Sequence, residues 1–459
     1  MIFERIKSEG LAHNSYFIGS GSSAAVIDPR RDIQIYLDLA LKHGMKIKYI
    51  LETHRNEDYI IGSTELGYDS QADIYHGPGL DWKYGSPLND GQEFTIGKLS
   101  VTAIHTPGHT DESISYVITD LNSGKTPILV FTGDALFVGD TGRVDLYGDA
   151  EIPRMASNLY ESIFKRILPL GDNVILCPAH GSGSVCGLNI ADRDESTLGI
   201  ERLQNPSLQW ANKKEFVRHK SAEKPEKPPY FTMMEKYNLE GAPRLACLPM
   251  PSPLTASEFK KEVESGALVV DTSLPSAFGG AHIKGSYSIW LEGLPGFAGW
   301  MLPYDKPILL VLEDQNHLKK AVTYLIRVGY DNILGFLKDG IEGWYDAGLP
   351  TESLPLLSVH QLKEKLDRGK DLLVLDARDQ REWDTGHIQS SLHIYTGHVE
   401  SRVSEIPRDK PVAVLCSVGH RAGIAASVLL RAGFTQVYNV LGSVTAWRRA
   451  GFPLIIDNR

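Results

Sequence analysis

Short apolar runs broken by turns dominate the first 205 positions: Ala24 to Ile27, Ile47 to Leu51, Leu99 to Ile104, Ser115 to Ile118, Ile128 to Phe131 and Val174 to Leu176 each predict a strand. Between them, Ile33 to His43 and Ile152 to Ile167 carry helical patterning, which predicts an α/β domain with a layered sheet core over residues 1–212. From Lys213 to Pro253 the chain turns charged and proline-rich, as in Lys224-Pro225-Glu226-Lys227-Pro228-Pro229, and this composition predicts a linker over residues 213–253. Within it, Tyr230, Phe231, Met233 and Met234 imply that the segment docks on a surface.

Beyond the linker the pattern repeats. Gly329-Tyr330 recurs as Gly433-Phe434, Lys306-Pro307 as Lys410-Pro411 and Val269-Val270-Asp271 as Val374-Leu375-Asp376, at spacings of 104, 104 and 105 positions. His282-Ile283 returns as His387-Ile388, and Gly343-Trp344 as Ala446-Trp447. Such a repeat predicts two copies of one β/α domain, residues 254–351 and 355–459, each with alternating strands and helices and a parallel sheet.

A chain of 459 residues is too long for a single core, so several domains are required. The longest purely aliphatic stretches, such as Ile308 to Leu312, fall far short of the ~20 residues that span a bilayer. The start, Met1-Ile2-Phe3-Glu4-Arg5-Ile6-Lys7, lacks the features of a signal peptide, so a cytoplasmic location is expected. A formal charge of −10 argues against nucleic acid or a membrane surface as the main partner and turns attention to small molecules. Four cysteines without a CxxC pair exclude a disulfide framework and leave each thiol to be read singly.

Cys416 ends the apolar run Val412 to Leu415 and opens the loop Cys416-Ser417-Val418-Gly419-His420-Arg421, before a helix beginning near Ala422. That position aims backbone N–H groups and a helix dipole at the sulfur, surroundings that lower a thiol pKa and cradle an anion or a terminal persulfide sulfur. With Leu375-Asp376-Ala377-Arg378, Glu382-Trp383, Gly386-His387-Ile388 and Ala446-Trp447, the segment resembles a rhodanese (sulfurtransferase) domain. The resemblance implies that Cys416 carries sulfane sulfur while Gly419 and Arg421 shape the anion cradle; Arg421 is alternatively a helix-start residue paired with a carboxylate. In the first copy Cys416 falls on Leu312, followed by Glu313 and Asp314, so that domain is expected to be catalytically silent, with a packing or docking role.

In the first domain His54, His109, Asp134 and His180 each occupy a turn directly after a strand-like run, where strand ends converge. Their order and contexts resemble the metallo-β-lactamase superfamily, which implies an αββα sandwich. The box His54-Arg55-Asn56-Glu57-Asp58-Tyr59 departs from the superfamily's His-x-His-x-Asp-His at Asn56 and Tyr59. Two missing imidazoles make a dinuclear hydrolase improbable. What survives, His54, His109 and Asp134, is a two-histidine, one-carboxylate set that suits Fe(II), one per chain. Within the superfamily this reduced site resembles the persulfide dioxygenases, as do Gly142-Arg143-Val144-Asp145 and Ser196-Thr197-Leu198-Gly199. Asp58 and His180 then orient ligands or substrate from behind. Cys186 reads first as a structural thiol, while some fusions of this kind carry a cysteine in a similar Ser-x-Cys-Gly setting that shuttles sulfur.

The resemblance therefore implies a persulfide dioxygenase-sulfurtransferase: O₂-dependent oxidation of a low-molecular-weight thiol persulfide to sulfite, joined to sulfur transfer between persulfide, sulfite and thiosulfate through Cys416. A homo-oligomer is expected. The rival readings are a zinc thioester hydrolase of the glyoxalase II kind and a non-enzymatic sulfur carrier.

Overall fold

The computed structural model describes residues 1–210 and 212–456. It divides into two compact units, the first comprising Met1–Leu248 with Ile326–Gly329, the second Pro249–Leu325 and the chain from Tyr330 onward.

In the first unit, strands Ile2–Ser8, His13–Ser20, Ser23–Ile27, Lys46–Leu51, Asp73–His76 and Ser86–Pro87 form one sheet in chain order. A second sheet has the order Ile175–Pro178, Pro127–Gly133, Ile114–Asp120, Leu99–His105, Glu93–Ile96. Side chains alternate between the two faces of each strand, and here both faces are apolar. In Ser23–Ile27, Ala25 and Ile27 join Leu129 and Phe131 of the other sheet in the central core, whereas Ala24 and Val26 face outward onto Tyr36 and Ala40 of helix Gln34–Lys42. On the far side Val130 and Leu176 meet Met155, Leu159 and Ile163 of the helical segment that begins at Ile152. The result is the αββα sandwich that the sequence implied.

Residues 213–253 depart from the linker expectation: they carry helices Lys213–Ala222 and Phe231–Glu240, and the first unit runs to Leu248. Phe216 is fully buried against Tyr160 and Phe164, with ring centroids 5.6 and 6.1 Å away. Phe231 and Met234 are buried as well. Proline composition misleads here because Pro225, Pro228 and Pro229 sit between the helices, while a few large apolar side chains on the helices decide the packing.

The second unit holds two five-stranded sheets with parallel pairings. One has the order Ser252–Leu254, Ile333–Leu337, Ile308–Val311, Leu268–Asp271, Tyr287–Ser288; the other repeats it as Leu356–Leu357, Val437–Val440, Val412–Leu415, Leu373–Asp376, Leu392–His393. Even local details repeat: Trp344 Nε1 donates to the Pro350 carbonyl and Trp447 Nε1 to that of Pro453, both at 2.9 Å. Among the described residues no helix is long and apolar enough to cross a membrane.

Candidate functional site

His54 follows strand Lys46–Leu51, His109 follows Leu99–His105, Asp134 follows Pro127–Gly133 and His180 follows Ile175–Pro178, and all four side chains are buried. Strand ends close on one another only where backbone bulk allows it. Gly133 has φ +54°, and a Cβ there would come within 2.6 Å of Thr53 Oγ1, so glycine is needed between the turns bearing His54 and Asp134.

Both histidines are oriented from behind. The Thr53 hydroxyl donates to Asp28 at 2.7 Å, so its oxygen is left to accept Nδ1–H of His54 at 2.9 Å. His109 Nδ1 donates to the Arg143 carbonyl at 3.0 Å, and the Arg143 guanidinium is locked by two 2.7 Å bonds to Asp145. The Gly142-to-Asp145 motif thus serves to aim His109. In both rings Nε2 is turned toward the site. Asp134 Oδ2 lies 3.8 Å from His54 Nε2 and 3.6 Å from His109 Nε2. His180 holds Asp134 in place through Nδ1, 2.8 Å from Oδ1, and its Nε2 is 3.0 Å from Asp58. His180 therefore stands behind Asp134, and Asp58 behind His180.

Sequence reasoning missed the residue at the centre. Glu57 is 1% exposed, and its carboxylate reaches His109 Nε2 at 3.1 Å, His54 Nε2 at 3.9 Å and Cys186 Sγ at 3.4 Å. The one available signal was an acid at a variable position of the box, beside the missing imidazole. Asn238, in the segment taken for a linker, was missed too: its Nδ2 donates to the carbonyls of Asn56 and Tyr59 at 2.6 and 2.8 Å, and its Oδ1 accepts from Ile61 N–H at 2.9 Å. His13, also unforeseen, packs its ring against Tyr59 at 4.0 Å and fills space near His180.

The residues fit a metal cation. Donor atoms of His54, Glu57 and His109 lie within 4.8 Å of one another, as do those of Asp58, His180 and Cys186 and those of Glu57, Asp134 and Cys186. Among the described residues His54 Nε2 has no hydrogen-bond partner, although two carboxylates converge beside it. A buried pair of carboxylates converging on imidazole nitrogens calls for positive charge.

Without metal, a proton supplies part of that charge. Burial depresses His109, but Glu57 and Asp134 outweigh it and lift its pKa to about 9. Burial dominates at His54 and brings it down to about 4, so that ring is neutral. Burial alone would raise Glu57, yet His109 and His54 pull it to about 2. Burial and the nearby carboxylates push the Cys186 thiol well above its ordinary value. For metal-free protein the sign is definite: a folded pKa of about 9 against an unfolded 6.5 gives stability fully present below pH 6.5 and lost as pH rises through 9. Between those limits metal-free protein is expected to lose up to about 3 kcal/mol more stability than metal-free His109→Gln; equal profiles for the two proteins would sink this.

In the second unit, strand Val412–Leu415 delivers Cys416 to the start of helix His420–Arg431, as the sequence predicted. Cys416 is 1% exposed, and Gly419 N–H donates to its sulfur at 3.1 Å. Gly419 has φ +111°, a conformation other residues rarely adopt, and Asn439 Nδ2 holds its carbonyl at 3.1 Å. Of the two roles expected of Arg421, the structure shows the carboxylate pair: its guanidinium donates to Glu382 at 2.6 and 2.8 Å and to Ser417 Oγ at 2.7 Å. Burial would raise Glu382, but Arg421 holds it below the usual range.

In the first copy buried Leu312 stands where Cys416 does, and Glu313 accepts from Leu274 N–H at 3.3 Å. This copy packs on the helix that begins at the cysteine loop: Ser288 N–H donates to Ser427 Oγ at 3.1 Å, Arg431 stacks over Tyr287 at 3.8 Å and Trp290 lies 4.9 Å from His420.

An αββα sandwich with a histidine-carboxylate centre, followed by two parallel β/α domains of which one retains a cysteine loop, defines a metallo-β-lactamase-type domain joined to tandem rhodanese domains. Comparison with known proteins agrees: the metallo-beta-lactamase superfamily matches residues 9–180 and the rhodanese-like domain matches residues 255–347 and 358–450. The mitochondrial persulfide dioxygenase ETHE1 of Bos taurus is 30% identical over 216 residues, 44% of this chain and 74% of that protein. The putative sulfur carrier protein YrkF of Bacillus subtilis (strain 168) is 33% identical over 95 residues, 21% of this chain and 51% of that protein. A solved metallo-beta-lactamase from Staphylococcus aureus subsp. aureus COL covers 73% of this chain and 98% of its own at 30% identity, with a TM-score of 0.66. The chain belongs to the family in which a persulfide dioxygenase-type metallo-β-lactamase domain is fused to two rhodanese domains, the first lacking its cysteine.

Proposed function

We propose that the chain oxidises a low-molecular-weight thiol persulfide to sulfite at one Fe(II) in its first unit and transfers sulfane sulfur through Cys416 in its second. The observation that carries the reading is the convergence of His54 Nε2, His109 Nε2 and Asp134 Oδ2, with Asn56 and Tyr59 where a dinuclear site needs further imidazoles. Iron supplies what zinc lacks, the ability to bind O₂ and a sulfur ligand together and pass electrons between them. Overall, RSSH + O₂ + H₂O gives RSH + SO₃²⁻ + 2 H⁺.

The chain's own groups act around that chemistry. Thr53 and the Arg143 carbonyl keep both Nε2 lone pairs facing inward, His180 holds the Asp134 carboxylate, and Tyr59 packs on His13. At the other site the Cys416 thiolate attacks the outer sulfur of a persulfide, releasing thiol and leaving Cys-S-S⁻. Sulfite then takes that outer sulfur: Cys-S-S⁻ + SO₃²⁻ gives Cys-S⁻ + S₂O₃²⁻, and the reverse direction uses the same intermediate. The Gly419 N–H, 3.1 Å from Sγ, stabilises negative sulfur in either form. A reduced Cys416 requires a reducing compartment, which favours the cytoplasm.

Metal analysis of protein purified without air, combined with O₂ uptake on glutathione, coenzyme A and cysteine persulfides, tests the proposal. One iron per chain and O₂ consumed with sulfite formed are expected. A zinc-loaded protein that cleaves thioesters and uses no O₂ would replace it with the hydrolase reading.

A further inference from the structure

We propose that Glu57 is a fourth protein donor to the metal, standing in for the imidazole that the box lacks at position 56. The inference rests on the reading of this site as a metal centre. Asn56 is turned away from that task, its Nδ2 donating to the His54 carbonyl at 3.2 Å. One position on, Glu57 projects inward, and the Asn238 side chain fixes it there by gripping the backbone carbonyls on either side, those of Asn56 and Tyr59.

The bland alternative makes Glu57 a carboxylate that merely orients His109. An orienting carboxylate bonds the nitrogen remote from the metal. That nitrogen, Nδ1, is already taken by the Arg143 carbonyl. Glu57 meets Nε2, the nitrogen facing the site, with its two oxygens at 3.1 and 3.3 Å, and the same carboxylate lies 3.9 Å from the other inward nitrogen, Nε2 of His54. It thus sits on the metal's side of both rings. Charge agrees with this: the buried carboxylates of Asp134 and Glu57 together would neutralise a divalent ion.

Co(II) titration of the metal-free protein, with affinity read by chelator competition and geometry by visible absorption, tests the assignment. Glu57→Gln is expected to weaken Co(II) by at least about 100-fold, beyond the 10- to 100-fold typical of a group behind the ligands, and to change the absorption bands, whereas Asn56→Ala leaves both nearly as they are. Unchanged affinity and spectrum in Glu57→Gln overturn the inference, and the metal-centre reading still stands if His109→Ala and Asp134→Ala lose Co(II). Retention of Co(II) by those two variants overturns the reading itself. Anomalous scattering from crystals of the unmutated, Co(II)-loaded protein decides the matter should Glu57→Gln fail to fold: an ion about 2.0–2.2 Å from a Glu57 oxygen supports the assignment, and an ion beyond bonding distance overturns it.

Discussion

Cys416→Ser is expected to lose sulfurtransferase turnover by about a thousandfold or more, while O₂ uptake on a thiol persulfide continues. A serine hydroxyl accepts the Gly419 N–H that now meets Sγ at 3.1 Å, so loop and fold are preserved. It neither ionises near neutrality nor forms a bond to sulfane sulfur that sulfite can reopen, and loss of a covalent nucleophile removes the whole route. Thermal unfolding should stay close to that of the parent, since the exchange of sulfur for oxygen at a 1% exposed position leaves the neighbouring hydrogen bonds from Val444 and Asn439 in place. Thiosulfate formation from sulfite and persulfide, followed beside an oxygen electrode, gives the two readouts. Loss of both together would refute a division of labour between two sites, and survival of both would remove Cys416 from the chemistry.

Much of this arrangement could be read from the chain because its signals are local. A strand that runs into Cys416 and then into a glycine-bearing helix start is contiguous, so the loop follows from sequence alone. The repeat is legible for a different reason: pairs such as Trp344 and Trp447 sit at matching places in two copies, and each makes the same hydrogen bond. His54, His109, Asp134 and His180 were found from their order and their positions after strand-like runs. What escaped depends on contacts between distant segments. Asn238 touches the box across more than 170 positions, and nothing in its neighbourhood of charged and polar residues announces it. Glu57 was hidden by expectation, since the family's pattern directs attention to positions 54, 56, 58 and 59 and treats position 57 as free. The linker expectation misled because composition counts charged and proline residues equally with the few large apolar side chains, such as Phe216, Phe231 and Met234, that are buried here.

Asp134→Ala should leave the protein unable to keep its metal, with affinity down by at least about 100-fold, more than the 10- to 100-fold typical of groups behind the ligands. Three consequences of the deletion act in the same direction. The site loses one of its two carboxylates beside His54 and His109, whose Nε2 atoms lie 3.8 and 3.6 Å from Asp134 Oδ2. His180 loses the partner 2.8 Å from its Nδ1 and retains Asp58 alone. A negative counter-charge is also removed from beside the buried imidazoles: burial would raise the Asp134 carboxyl, but His180 and His54 hold it well below its ordinary range, so its stabilising contribution is present at neutral pH and disappears only in acid. O₂ uptake should fall to background. Sulfur transfer at Cys416, supplied with sulfite from outside, should persist, which makes this variant the mirror image of Cys416→Ser. Iron retained at one per chain with normal O₂ uptake in Asp134→Ala would show that the ion lies elsewhere and that the cluster of His54, His109 and Asp134 is a buried polar network with no part in the oxidation.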